Sequence, residues 1–185
     1  MGAGRQISAL SVYPSVFNAL RMMARIAVRA LVLIAVVATI GCDRVTKHVA
    51  RAALAGEPGR SYLGDTIRLE YVENTGGFLS LGAGLPPSAR TALFSLGTGV
   101  LLLALAGVAV RFRWRGWLLL GTSLVLAGGA SNWMDRLLRG SVVDFLNVGV
   151  GPLRTGVFNV ADMAIMLGVA VLLLAQRRRS ADARW

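Results

Sequence analysis

The sequence is short of the residues that most enzymes and most soluble domains draw on. It holds one cysteine and one histidine, which excludes a disulfide framework and an ordinary Cys/His metal site. The same scarcity leaves little material for a Ser-His or Cys-His nucleophile. Lysine occurs once, at Lys47, so a lysine-dependent reaction has one candidate. Charged residues make up only 16% of the chain, below the roughly 25% of soluble domains. That deficit excludes a water-facing globule and a disordered chain alike. There is no internal repeat and no low-complexity tract.

What is abundant is apolar. Hydrophobic residues account for 55% of the 185 residues, and the mean hydropathy is +0.62. The 20 basic residues outnumber the 9 acidic ones, giving a net charge of +11. In a soluble protein that excess would point to nucleic acid. Here the arginines stand in short clusters beside long apolar runs, which is the signature of membrane topology; no nucleic-acid partner is expected.

Four segments approach the roughly 20 residues needed to cross about 30 Å of hydrocarbon: about Ile26 to Cys42, about Thr91 to Val110, Trp117 to about Ser131, and Val157 to Ala175. The first and third continue into polar stretches of helical character, 43–50 and 132–138. Arg21, Arg25 and Arg29 precede the first run; Arg111, Arg113 and Arg115 fill the turn between the second and third; Arg177, Arg178 and Arg179 close the fourth. With four spans all three clusters share one side, which places them and both termini in the cytoplasm. Trp114 and Trp117 stand beside the second cluster as interfacial anchors. Every acid but Asp182 falls on the outer side or just inside its boundary.

The connection over 43–90 is too long for a turn. Apolar and polar residues alternate through Thr66-Ile67-Arg68-Leu69-Glu70-Tyr71, the pattern of a half-buried strand. The glycines and prolines before it, and Leu85-Pro86-Pro87 after it, mark the limits of a small outer sheet subdomain at about 56–86. The connection over 139–156 is expected to add another strand-and-loop piece. Residues 1–22 carry no strong pattern and are expected to be an N-terminal extension, with Met22 or Met23 as the expected true start. Residues 23–180 form the four-span domain and 181–185 a tail. The run ending in Thr39-Ile40-Gly41-Cys42 has the outline of a lipoprotein signal peptide, but Thr39 replaces the usual leucine and three further spans follow.

Ionisable residues at membrane depth are costly and are functional candidates by default. Asp43 and Lys47 stand four apart and can pair on one helix face. Asn132, Asp135 and Arg136 share a face at the end of the third run, and Asn159 and Asp162 open the fourth. For Asp135 with Arg136 and Asp43 with Lys47, a cap or interfacial ion pair is an equally good account. Asp144 and Asp162 are bracketed by apolar neighbours, with no second lysine or histidine to neutralise them. If they face each other in a poorly hydrated site, they share a proton and can hold a water between a base and an acid. Two other readings use the same residues: a small proton-coupled carrier with an aspartate relay, and a structural subunit whose polar groups only join helices.

The boxes that carry these residues resemble those of one family. Asp43-Arg44-Val45-Thr46-Lys47 resembles the D-x-x-T-K box of the lipoprotein signal peptidases (signal peptidase II). Glu73-Asn74-Thr75-Gly76-Gly77-Phe78 resembles their N-x-G box, and Gly128 through Arg136 their G-G-x-x-N-x-x-D-R box. Val142-Val143-Asp144-Phe145 and Phe158-Asn159-Val160-Ala161-Asp162 are similar to the V-V-D-F and F-N-x-A-D boxes. All five occur in family order. The Gly76-Gly77-Phe78 run departs from the family's Gly-Ala-Ala-Phe, so the loop after Asn74 differs in sequence.

The resemblance implies an all-α membrane fold, a four-transmembrane-helix bundle with a small extracytoplasmic β-sheet subdomain, in the bacterial inner membrane with its active site near the outer face. It implies an aspartic endopeptidase, needing no cofactor or metal, that removes signal peptides from diacylglyceryl-prolipoproteins by cutting before the lipidated cysteine. Asp144 and Asp162 would form the catalytic dyad. Asn74, Gly76, Asn132, Asp135, Arg136 and Asn159 would bind substrate or support the carboxylates, while Asp43 and Lys47 would shape the site and its lipid-facing wall. The expected partners are the prolipoprotein and membrane lipid, with the enzyme a monomer.

Overall fold

The structure is a computed structural model and describes residues 13–76 and 84–182. Helix α1 (Tyr13–Leu54) comes first, followed by strands β1 (Arg60–Tyr62) and β2 (Ile67–Asn74). Helix α2 (Pro87–Arg90), a π-helical segment (Thr91–Gly97) and α3 (Thr98–Arg111) then run end to end. Helix α4 (Trp117–Arg139), strands β3 (Val142–Val150) and β4 (Leu153–Arg154), and α5 (Val160–Asp182) complete the chain. The strands expected from the sequence are present in both connections, 43–90 and 139–156.

Helix α1 is longer than its apolar run. Its 42 residues rise about 63 Å at 1.5 Å per residue, roughly twice the hydrocarbon thickness. Residues 13–22 of the expected extension belong to this same helix. Gly41 is its one interior glycine, and the helix stops where Gly56 (φ +79°) and Pro58 follow.

Among the described residues, three helical stretches are long and apolar enough to cross a membrane: Val16–Leu54, Pro87–Arg111 and Val160–Arg177. Their large side chains point outward. Leu33, Ile34 and Val37 on α1, Val100, Leu101 and Leu103 on α3, and Met166, Leu167 and Leu174 on α5 are exposed. A continuous apolar exterior of this extent calls for lipid as solvent. Helix α4 has 23 residues but is less apolar, because it supplies the interior: Gly121, Thr122, Gly128, Gly129, Ser131, Asn132 and Asp135 are all buried.

Small residues let α4 and its neighbours approach closely. A Cβ on Gly168 of α5 would lie 2.6 Å from the Gly121 carbonyl oxygen, and one on Gly121 would lie 2.9 Å from the Gly168 oxygen. A Cβ on Gly128 would collide with the Ala161 oxygen. Toward α3, Gly99 lies under the Trp133 ring. The Trp133 indole N–H donates to the Ser95 carbonyl at 2.6 Å, so α4 supplies a donor to a carbonyl of the π-helical segment.

The sheet is antiparallel in the order β1-β2-β3-β4. Leu69 pairs with Leu146 but Val72 pairs with Asp144, so β2 carries one extra residue between them. This bulge shifts the register, so that Val72 and Asn74 pair with Asp144 and Val142 and lie on the same face as those partners. Val143 lies on the opposite face and packs with Ala50 and Leu54 of α1, joined by Leu69, Tyr71 and Phe145. Beyond β4, Phe158 forms a bridge with Leu146, its N–H donating to the Leu146 carbonyl at 2.9 Å. That bridge fixes where α5 begins.

Gly168→Ala is expected to destabilise the protein by about 1–3 kcal/mol, as overpacking does, in reversible unfolding from detergent micelles. Gly107→Ala, with nothing within 4 Å of its added Cβ, should be neutral or stabilising by up to about 1 kcal/mol.

Candidate active site

Helix α1 carries Asp43 and Lys47 into the interior at i and i+4. The Lys47 ammonium lies 2.8 Å from Asp43 Oδ2, 2.8 Å from Asp135 Oδ2 and 2.7 Å from Asn132 Oδ1. Its three donors therefore meet three acceptors. Lys47 is 3% exposed, Asp43 0% and Asp135 1%, so this is an ion cluster rather than a surface pair.

Asp43 has further partners. Its Oδ2 accepts the Ser131 hydroxyl at 2.6 Å, and its Oδ1 accepts the Ala161 backbone N–H at 2.9 Å. The second bond satisfies one of the free amides at the start of α5, where a negative charge is also favoured by the helix dipole. Asp135 accepts from Arg44 at 2.7 Å and from Arg139 at 3.5 Å. Two of the four buried aspartates are thus held by cations.

Asp144 and Asp162 are held differently. Asp144 Oδ2 accepts the Asn74 side-chain amide at 2.9 Å, and Oδ1 accepts that of Asn159 at 2.6 Å. Asp162 Oδ1 accepts the Asn132 amide at 2.9 Å. Asn159 also donates to Asn132 Oδ1 at 3.2 Å, so the chain Asp144–Asn159–Asn132–Asp162 is continuous. Asn132 Oδ1 in turn accepts a hydrogen bond from Lys47, which joins the ion cluster to the two remaining carboxylates.

Local structure explains the precision of this arrangement. Asp162 Oδ2 accepts the Asn159 N–H at 3.2 Å while Asn159 Oδ1 accepts the Asp162 N–H at 3.0 Å. This is a reciprocal capping box at the start of α5 with aspartate in the usual glutamate position. Asp144 comes from β3 and Asn74 from the far side of the β2 bulge. A second network steadies β2 against α1 and β3. The Tyr71 hydroxyl donates to Glu73 at 2.6 Å, Arg51 reaches both side chains, and Ser141 donates to Glu73 at 3.3 Å. The Tyr71 hydroxyl, then Arg51 and Ser141, hold the Glu73 carboxyl below its usual range against the opposing effect of burial.

Among the described residues, no cation lies within ion-pair distance of Asp144 or Asp162. Burial pushes the Asp144 carboxyl up to about 6; the Asn74 amide opposes this, and the nearby Asp162 charge adds to it. Asp144 is therefore a carboxyl that can hold or release a proton near neutrality.

Every expected site residue in the described part of the chain takes part, with one change of partner. Asp135 and Arg136, adjacent in sequence, do not pair with each other. Asp135 turns to Lys47, Arg44 and Arg139. Arg136 turns to the Gly76 carbonyl at 2.8 Å and borders a cavity of about 340 Å³ also lined by Thr75, Arg90 and Phe94. The adjacent positions lie about 100° apart around a helix, so they face different neighbours. Gly76 donates its N–H to Asn74 Oδ1 at 3.0 Å. Gly77 and Phe78 of the same box lie outside the described residues. Arg44, Ser131 and the Ala161 N–H were not singled out from sequence, although all three sit inside the boxes that were.

Comparison with known proteins shows the family. A family model described as signal peptidase (SPase) II matches residues 33–177. A protein named lipoprotein signal peptidase from Mycobacterium leprae (strain Br4923) is 34% identical over 176 residues, covering 89% of this chain and 79% of that protein. One of the same name from Mycobacterium tuberculosis (strain ATCC 25618 / H37Rv) is 35% identical over 167 residues, covering 84% and 70%. A solved structure described as a bacterial membrane enzyme superposes with a TM-score of 0.70 at 22% identity, covering 83% of this chain and 91% of that one. It shows a shared fold. A proton-coupled carrier finds no support among these relatives.

Lys47→Met would leave Asp43 buried without its cation. Breaking a buried ion pair costs about 3–5 kcal/mol, and unfolding in detergent should show a loss of that order. The double variant Lys47→Met/Asp43→Asn should recover part of it, since the unpaired carboxylate is gone.

Proposed function

Because the chain belongs to the signal peptidase II family, and is therefore a protease, we propose that it is an aspartic-type membrane endopeptidase whose reacting groups are Asp144 and Asp162. The observation that carries this reading is the division of the four buried aspartates. Asp43 and Asp135 are paired with Lys47 and Arg44, whereas among the described residues Asp144 and Asp162 meet only amides and are linked through Asn159 and Asn132. Two neighbouring carboxyls without a cation favour one shared proton.

In the proposed reaction a water sits between the two carboxyls. The ionised one takes a proton from it as the oxygen attacks the scissile carbonyl carbon, and the protonated one gives its proton to the carbonyl oxygen. Collapse of the resulting gem-diol breaks the C–N bond; the leaving amine takes up a proton and the new carboxyl keeps the water oxygen. Asn74, Asn132 and Asn159 orient the carboxyls, while Arg136 and Gly76 border the groove for the substrate backbone. The substrate is a prolipoprotein cut before its diacylglyceryl-modified cysteine, in keeping with the names of the relatives.

Helix α4 serves as a fourth span, its polar residues turned inward. Both termini and the three arginine clusters then face the cytoplasm, and the sheet and the aspartates lie at the outer face of the cell membrane, where a lipidated cysteine would be presented. Residues 23–180 form the peptidase domain, preceded by an extension, and one chain supplies every group named, so the working unit is a monomer.

Asp144→Asn and Asp162→Asn should each reduce cleavage of a diacylated prolipoprotein in detergent by about 10²–10⁴-fold while the protein stays folded; unchanged cleavage in either variant would remove that carboxyl from the chemistry. The pH profile should be bell-shaped, with one limb near 6, where Asp144 titrates. Asn74→Ala removes a hydrogen bond to the ionised form, so it should move that limb to higher pH.

A further inference from the structure

At the end of the molecule opposite the aspartates, α1 and the turn between α3 and α4 enclose a cavity of about 510 Å³. Arg25 and Arg29 line it from α1, and Arg113 and Arg115 line it from the turn. The two α1 arginines are four residues apart and share a face. None of the four arginines ion-pairs with a carboxylate among the described residues, so like charges converge on one space with nothing to offset them. The α4 helix opens at Gly116, beside the same cavity, with no side-chain cap and no acid in its first turn.

The rest of the lining is apolar: Ala24, Val28 and Leu119, with Trp114 half-buried at the rim. Arg25 lies about 27 Å along the α1 axis from Asp43 at 1.5 Å per residue, close to the thickness of the hydrocarbon core. The cavity therefore sits at the headgroup level of the other leaflet. A guanidinium cluster above an apolar floor, at that depth and next to an interfacial tryptophan, matches a molecule with a phosphodiester above acyl chains.

We propose that this cavity is a binding site for an anionic phospholipid, whose phosphodiester is held by Arg25, Arg29, Arg113 and Arg115 and whose glycerol and first methylenes rest on Ala24, Val28 and Leu119. The site is separate from the aspartates and does not depend on the peptidase reading. Positive charge that merely sets topology needs no cavity and would act equally from any of the clusters on this end. The cavity makes a sharper demand: these four arginines should matter, and others on the same end should not.

The test is native mass spectrometry of the full chain released from detergent, titrated with phosphatidylglycerol and, separately, phosphatidylcholine. The parent should retain phosphatidylglycerol preferentially. The variant Arg25→Gln/Arg29→Gln/Arg113→Gln/Arg115→Gln should bind it at least about tenfold more weakly. A variant with equal charge removed elsewhere, Arg21→Gln/Arg111→Gln/Arg177→Gln/Arg178→Gln, should bind like the parent. If the fourfold variant is poorly folded, Arg113→Glu/Arg115→Glu, confined to the turn, should show the same loss. Equal weakening in the control variant would reduce the cavity to general surface charge and overturn the proposal. So would equal retention of phosphatidylcholine. Displacement of the lipid by inorganic phosphate in the buffer would assign the site to free phosphate and overturn it as well.

Discussion

The structure depends on a single ammonium group. Lys47 lies among Asp43, Asp135 and Asn132 in a part of the molecule that water does not reach, and its bonds run from α1 to α4. Asp43 extends the connection to the first turn of α5 through the Ala161 N–H. In lipid there is little hydrophobic drive to bring helices together, so van der Waals packing and polar bonds must do it. Close contact at Gly121, Gly128 and Gly168 supplies the packing, and the Lys47 cluster supplies orientation. An ion pair in such a setting offsets its own desolvation only when every donor and acceptor is met, and here each is.

The same arrangement separates four chemically identical side chains into two kinds. Asp43 and Asp135 are committed to cations. Among the described residues, Asp144 and Asp162 receive only neutral amide donors. Asn132 belongs to both groups, accepting from Lys47 and donating to Asp162. The cation is thus one amide removed from Asp162, too far to pair with it directly.

Much of this was legible in the sequence. The apolar runs, the arginine clusters and the five boxes located the helices and the polar residues, because hydropathy and charge are carried residue by residue. The alternation at 66–71 gave a strand for the same reason. Three features were not visible. The extra residue in β2, which puts Asn74 on the same face as Asp144, depends on pairing with a strand some seventy positions away. The π-helical segment at Thr91–Gly97 has no composition of its own. The turning of Asp135 away from Arg136 follows from which helices lie on either side of α4, and adjacency in the chain says nothing of that. Helix α4 is instructive in the other direction. Its buried glycines, Ser131 and Asn132 lower its apolar character because they serve its neighbours in the interior.

The capping box at Asn159 and Asp162 has an architectural consequence. The Asp162 carboxyl that joins the buried amide network is also part of the fastening that begins α5, so the two cannot be adjusted separately. Sliding that helix by one residue would displace the acid by about 1.5 Å and rotate it by roughly 100°, out of line with its counterpart on the sheet. The far end of this last helix, its length and its lipid-facing surface carry no such double duty; its beginning has almost no latitude.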